Sequence, residues 1–339
     1  MIQWIQRFGR RGRLFIFTTL LTGSIVILVV FTIILILLSF NPNERSEAVS
    51  LADHVQVGEY AVLPDDNAHP SAVAVGPNGD VYTASFVTGA VWRIAPTGEV
   101  TELPGTREAF AGVAGITVAS DGQVYVIARD DSHPLSAGGS IQRISPDGEI
   151  RLFAAIQDEQ GFVFPDDLTF DAQGYLYVTD RGRSEVWRFD ANGDGIDWWT
   201  PPENTESDAR PAPTGIAYDA LNDVLIITDS NTNTLYRVAI ANPQVQVLYA
   251  HGNRPNPPEF DGVTVAADGT IYVAALGQNG IAYVEGDELV YIAGLFRGSS
   301  DVAAHGNDLY VANFDSRALV LPLVNPQLPF ALDKISISQ

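Results

Sequence analysis

FPDDLTFDAQGYLYVTDRGRSEVWRF, residues 164–189, reads as three strands in succession. Apolar and polar residues alternate along it with the period of two of a half-buried strand. Gln173-Gly174 marks a tight turn between the first strand and the second, because glycine reaches the positive φ that a hairpin needs. The unit recurs. Its second strand reads GDVYTAS (79–85), GQVYVIA (122–128), GYLYVTD (174–180), NDVLIITD (222–229), GTIYVAA (269–275) and NDLYVAN (307–313). Its third strand reads VWRI (91–94), IQRI (141–144), VWRF (186–189), LYRV (235–238), IAYV (281–284) and LVLP (319–322). The second-strand landmarks Tyr82, Tyr125, Tyr177, Leu225, Tyr272 and Tyr310 are 43, 52, 48, 47 and 38 residues apart.

Short strands joined by tight turns and repeated about every 40–50 residues are the pattern of propeller blades. Six repeats predict an all-β, six-bladed β-propeller over residues 59–339. No helical stripe appears after residue 40, which argues against α/β solenoids. Pro322, Pro326 and Pro329 interrupt the end of the last repeat. The segment 59–63 is therefore expected to pair into the last blade and close the ring, with residues 335–338 as the competing candidate.

Ahead of the repeats, residues 14–40 contain no charged residue. Twenty-seven residues at about 1.5 Å each exceed the ~30 Å of a bilayer core, so one transmembrane α-helix is expected there. Residues 1–13 form a basic N-terminus with Arg7, Arg10, Arg11 and Arg13, which keeps that end cytoplasmic. The expected location is thus the cell membrane, single-pass, with the propeller on the extracytoplasmic side. A cleaved signal peptide is the rival reading; it calls for a shorter apolar core and a small-residue cleavage site. Residues 41–58, mostly polar and containing Pro42, read as a stalk.

All 41 Asp and Glu lie beyond residue 40, against 15 of the 19 Lys and Arg. That acidity speaks against nucleic acid as a partner and favours cations, although solubility alone also explains it. With no cysteine there are no disulfides and no thiolate chemistry. Neither a phosphate-binding G-x-x-x-x-G-K-[ST] loop nor a G-x-S-x-G elbow is present.

Phrases such as residues 164–189 and FDGVTVAADGTIYVAA (260–275) resemble the SMP-30/gluconolactonase/LRE-like family and its NHL-type and strictosidine-synthase-like six-bladed relatives. The resemblance covers roughly residues 59–325. It implies a propeller strongly and a chemistry weakly, since propellers host many functions.

By repeat alignment the inner strands begin at Ser71, Ala114, Asp166, Thr214, Asp261 and Ser300, ringing the channel mouth. Two carboxylates in one ring suit a hard divalent cation, and equally suit backbone hydrogen bonds at the mouth. The family resemblance implies a divalent metal (Ca²⁺, Zn²⁺ or Mn²⁺) held by a Glu in the first blade, Asn in the middle blades and an Asp in a P-D-G-like phrase. Phe260-Asp261-Gly262 matches the last phrase. Asp166 and Thr214 stand at Asn positions, and Ser71 stands where the Glu is expected. The metal ligands so implied are Ser71, Asp166, Thr214 and Asp261, with Asp261 also the candidate catalytic base.

His133, in the longest second-strand loop, is a candidate proton shuttle or simply an exposed loop residue. Asp180-Arg181 and Asp229-Ser230 either face a ligand or cap their own loops. DANGDG (190–195) opens like a calcium loop, but its twelfth position is Pro201, and the stretch also reads as a plain turn. Two classes of function stay open: a metal-dependent lactone or ester hydrolase, and a non-catalytic propeller that captures a small molecule or a protein partner.

Overall fold

The computed structural model describes residues 9–39, 46–202, 209–321 and 324–338. Arg7, residues 40–45 and Pro322, all part of the expectations above, lie outside them.

Near the N-terminus a helix of 30 residues runs over Arg10–Ser39, about 45 Å long at 1.5 Å per residue. Its Phe17–Leu35 stretch is strongly apolar and uncharged, and Phe17, Ile27 and Leu28 are each well over half exposed. A soluble helix buries one stripe and keeps the other polar; this one has no polar face. Its few hydroxyls are satisfied internally: Thr22, Ser24 and Thr32 donate to the carbonyls of Thr18, Leu20 and Leu28 at 2.8–2.9 Å. By length and composition the helix is able to cross a membrane, and a signal sequence has the same character.

The remainder forms six antiparallel sheets. The inner strands of blades 1 to 6 are Pro70–Val75, Gly112–Val118, Pro165–Phe170, Pro213–Asp219, Phe260–Val265 and Ser299–His305. Second strands follow at Val81–Ser85, Val124–Arg129, Leu176–Asp180, Val224–Asp229, Ile271–Ala275 and Asp308–Asn313. In blades 1 to 5 the third strands fall where the sequence places them, from Val91–Ile94 to Gly280–Glu285.

Blade 6 departs from expectation. The run 319–322 is not its third strand: Arg317–Val320 is a short helix, and the proline-broken stretch after it cannot supply a ladder of N–H donors. Ala331–Ile337, which alternates properly, takes the position beside Asp308–Asn313. Val55–Val62 then pairs outside it, from Val55 opposite Ile337 to Val62 opposite Ala331. The two candidates for closure are thus partners in one ladder rather than competitors. Pairing also begins inside the expected stalk, where Val49–Ser50 adds a fifth strand to blade 5 on the edge of Glu288–Gly294.

Six apolar layers lie between the blades. Tyr82 and Val91 of blade 1 pack with Val113 and Ile116 of blade 2. Tyr125 and Ile127 of blade 2 face Leu168 and Val178 of blade 3. Ala61, Tyr310 and Leu332 of blade 6 meet Val73, Val81 and Ile94 of blade 1. Alternate residues of one strand serve opposite layers, which is why the second strands are buried throughout. Blade 4 corrects the alignment here. Ile226, not Leu225, occupies the landmark position, because Ile216 pairs with Ile227 as Leu168 pairs with Val178. A one-residue slip turns a side chain to the other face, and Leu225 accordingly packs toward blade 3 and Ile226 toward blade 5.

Every inner strand starts with a break in register, between residues such as Val113 and Ile116, Pro165 and Leu168, Pro213 and Ile216, and Phe260 and Val263. These bulges bend the strand at the channel mouth. Neighbouring blades approach so closely there that a Cβ on Gly215 would strike the Asp261 carbonyl and come within 2.8 Å of Gly262 Cα. Gly215→Ala is therefore expected to lower stability by about 1–3 kcal/mol, read as a lower denaturant midpoint at unchanged slope. Gly58→Ala, in open space on the outer strand of blade 6, serves as the near-neutral control.

Candidate functional site at the channel mouth

A bulge frees backbone groups from the ladder, and buried ones need partners. Neighbouring side chains provide them. Thr179 accepts from the N–H of Asp167 (3.0 Å) and donates to the carbonyl of Thr214 in the next blade (2.5 Å). Thr228 repeats the device one blade on, accepting from Gly215 N–H and donating to the Asp261 carbonyl. Asp167 accepts the N–H groups of Leu168 and Ile216, linking blades 3 and 4. Asp301 accepts those of Val302 and Val73, linking blades 6 and 1. Ser300 donates to the Ser71 carbonyl, and Ser71 donates to the carbonyls of Val113 and Ala114.

Several of these groups border a cavity of about 220 Å³. Its polar lining includes Ser71, Asp166, Asp167, Asp261, Ser300, Asp301 and Arg181, and its apolar wall is Phe86, Leu276 and Phe314. Phe86 and Phe314 meet edge to face at 4.9 Å. Behind Phe86 the buried Arg129 guanidinium stacks at 3.9 Å and donates to the carbonyls of Phe86 and His133. A larger cleft, about 530 Å³, opens between the hairpin turns at Asn78, Asp121 and Asp147 of blades 1 and 2. The first two turns follow inner strands and the third follows the third strand of blade 2, so all lie at the end of the blades away from the mouth. The carboxyl ring and its cation converge only in the smaller cavity.

Arg181 is placed by the residue before it. Asp180, fully buried, accepts four backbone N–H bonds, from Val163, Phe164, Gly182 and Arg183. Arg181 N–H in turn donates to the Phe164 carbonyl. The guanidinium lies over the Phe164 ring at 5.6 Å, with Nε 3.3 Å from Asp166 Oδ1. So Asp180 caps its loop and Arg181 reaches the cavity: each half of the sequence alternative describes one residue of the pair. Asp229 is likewise a cap, for Ala212, Asn231 and Thr232.

The expected ring residues separate into two groups. Ser71, Asp166 and Asp261 come together in the cavity. Thr214 is buried, with its hydroxyl donating to the Ala212 carbonyl, and does not line the cavity. His133 stands in an exposed loop outside the cavity, where its Nδ1 faces the Leu135 N–H at 3.3 Å. His69 is buried against Phe330 and holds the Phe314 carbonyl. In 190–195 the Asp190 carboxylate closes the turn by accepting from Asn192 and Asp194 N–H. Asp167, Asp301, Phe86 and Phe314 were not singled out from sequence. The doubled acid in PDDL (165–168) and the Ser300-Asp301 pair were the available signals.

The donor set does not fit a divalent ion. Asp166 carries Arg181, Asp167 and Asp301 are engaged by two N–H groups each, and the Ser71 and Thr214 hydroxyls point their protons at carbonyls. Among the described residues no three His, Cys, Asp or Glu gather as a metal group. A dication about 5 Å from a guanidinium is also repelled by roughly 7 kcal/mol at an effective dielectric of about 20.

Burial dominates the protonation of the ring. It pushes Asp261 well above the usual carboxylate range, with the charge of Asp166 adding to the effect. It raises Asp301 well up too, reinforced by Asp167, and raises Asp166 against the opposing pull of Arg181. Asp167 is pushed up to about 7 by burial, against the N–H bonds that favour its anion. An unfolded Asp titrates near 3.9, so the folded chain binds more protons between those values. Stability is then greatest at and below about pH 4 for this group and falls as pH rises toward 7. Melting temperature is expected to drop between about pH 4 and 7, with a shallower drop in Asp167→Asn; a flat profile in both proteins would contradict the assignment.

Comparison with known proteins places this architecture. The family model for a repeat of unknown function, DUF6923, matches residues 71–267. Lactonase drp35 of Staphylococcus epidermidis is 27% identical over 214 residues, 59% of this chain; the match spans only 61% of that lactonase's length. A gluconolactonase from Xanthomonas campestris superposes with a TM-score of 0.58 at 15% identity, over 88% of this chain and 99% of its own. Virginiamycin B lyase from Staphylococcus aureus superposes at 0.56 and 15%, over 84% and 99%. The chain is thus a six-bladed propeller related to these proteins, and at such identity the two structures speak for the fold alone.

Proposed function

From a chain that belongs to the DUF6923 family, we propose a membrane-tethered, extracytoplasmic propeller that binds a small lactone or ester at the channel mouth and hydrolyses it, with Asp261 as the proton-transferring group. One observation carries this reading. Asp261 lines the cavity, its pKa is strongly raised, and its carboxyl has no hydrogen-bond partner among the described residues. A perturbed, uncommitted carboxyl in a cleft is a common signature of acid–base chemistry. The similarity to a lactonase supports the substrate class, and the uncharged Phe17–Leu35 helix supports the tether.

In its ionised form Asp261 takes a proton from water as the water oxygen bonds to the substrate carbonyl carbon. The ring or ester C–O bond then breaks. The departing oxygen receives the proton back from Asp261, and a hydroxy acid, or an acid and an alcohol, is released. Phe86, Leu276 and Phe314 give an apolar wall for the substrate's carbon skeleton. A second reading, capture without turnover, draws support from the commitment of Ser71, Asp167 and Asp301 to backbone partners.

With the full chain in detergent and a panel of aliphatic and sugar lactones, Asp261→Asn is expected to lower kcat by about 10²–10⁴-fold with KM little changed. Because the base form is needed and its pKa is raised, kcat/KM of the wild type rises with pH beyond the ordinary carboxylate range. Turnover that survives Asp261→Asn removes the assignment. Lactone binding with no turnover in the wild type leaves the capture reading in its place.

A further inference from the structure

We infer that Arg181 is the resident cation of the channel mouth, its guanidinium standing in the electrostatic position that a divalent ion holds in a metal-dependent site. Asp166 and Asp261 are the two ring carboxylates not spent on backbone N–H groups. Arg181 stands beside both: its Nε lies 3.3 Å from Asp166, and it lines the same cavity as Asp261. The same two residues are the acidic members of the expected metal set. One guanidinium therefore offsets part of the charge of the pair that would hold an ion, and repels an ion that approaches.

An ordinary surface ion pair would be held loosely and contribute little. Here the Arg181 side chain is 43% exposed, but the loop that carries it is fixed. Four backbone N–H bonds to buried Asp180 fix the loop on both sides of the cavity edge, and the Phe164 ring supports the guanidinium from below. Nε faces Asp166, while the two terminal NH₂ groups make no hydrogen bond among the described residues although Arg181 lines the cavity. A planar fork with permanent charge and free donors suits a carbonyl oxygen before hydrolysis and a carboxylate after it. That substrate-facing role rests on the lactone reading above; the charge-compensating role does not.

The two roles are separated by measuring metal binding rather than turnover. The full chain in detergent, freed of metal with a chelator, is titrated with Mn²⁺ while the free-ion paramagnetic resonance signal is followed, and then with Ca²⁺ in competition. The wild type is expected to show no saturable site below about 1 mM, the weak end of protein Ca²⁺ sites. Arg181→Gln is expected to gain one site per chain, at least about tenfold tighter, lost again in Arg181→Gln with Asp166→Asn. Arg181→Lys, which keeps the charge, stays without a site. Should the Gln variant not fold, Arg181→Met removes the same charge on a similar stem. One equivalent of tightly bound ion on the wild type overturns the inference. So does a folded neutral variant that gains no site, or a Lys variant that gains one. If no lactone is turned over by any protein while the neutral variants take up Mn²⁺, the hydrolase reading falls and the resident cation stands.

Discussion

The register break at the start of each inner strand is the constraint on which the rest of this propeller depends. Six strands converge there, too close for regular pairing. Each bulge leaves peptide groups without a ladder partner in a place poorly reached by water. Leaving such a group bare costs about 1–3 kcal/mol, whereas a made bond contributes about 0.5–1.5 kcal/mol net. The mouth is therefore populated by residues that can bond backbone across a joint, Thr179, Thr228, Asp167 and Asp301, and by glycines such as Gly215 and Gly262 that let the next blade in. The carboxyl-rich character of the cavity is first a consequence of joining blades.

That origin explains why acids at one mouth differ in what they can do. Asp167 and Asp301 stand three blades apart and bond the following blade in the same way. Asp166 and Asp261, one position earlier in the bulge, do no such stitching. Asp166 meets Arg181, and the Asp261 carboxyl accepts no hydrogen bond among the described residues. Position within the bulge, more than residue type, decides whether a carboxyl joins two blades or is left facing the cavity.

The fold was largely legible in the sequence because period-two alternation and Gly, Asn and Asp turns encode strand faces directly. Legibility failed where that code thins. In blade 6 prolines interrupt the pattern, and the third strand resumes only at Ala331, on the far side of a short helix. In blade 4 the connection between paired Tyr218 and Leu225 is one residue longer than that between paired Phe170 and Leu176 in blade 3, which shifted the apparent landmark by one, and only the pairing of Ile216 with Ile227 corrects it. At the mouth the alignment located Ser71, Asp166 and Asp261 in one cavity. It could not tell that Thr214 would turn its hydroxyl to Ala212, or that Asp180 would aim Arg181 inward, because these outcomes depend on local backbone direction rather than on spacing.

The ladder between Val55–Val62 and Ala331–Ile337 joins segments from opposite ends of the propeller sequence. Blades 1 to 4 and the four main strands of blade 5 assemble from neighbouring chain as it emerges, but the sixth blade waits on a strand made some 270 residues after its partner. Contacts so distant in sequence form slowly, since the whole intervening loop must be closed to make them. In a chain that emerges N-terminus first, the ring is a latch that engages only when the last strand has been delivered. A prematurely ended chain presents two unpaired edges, one on blade 6 and one on the waiting N-terminal strand, and is marked as unfinished by its own hydrogen bonds.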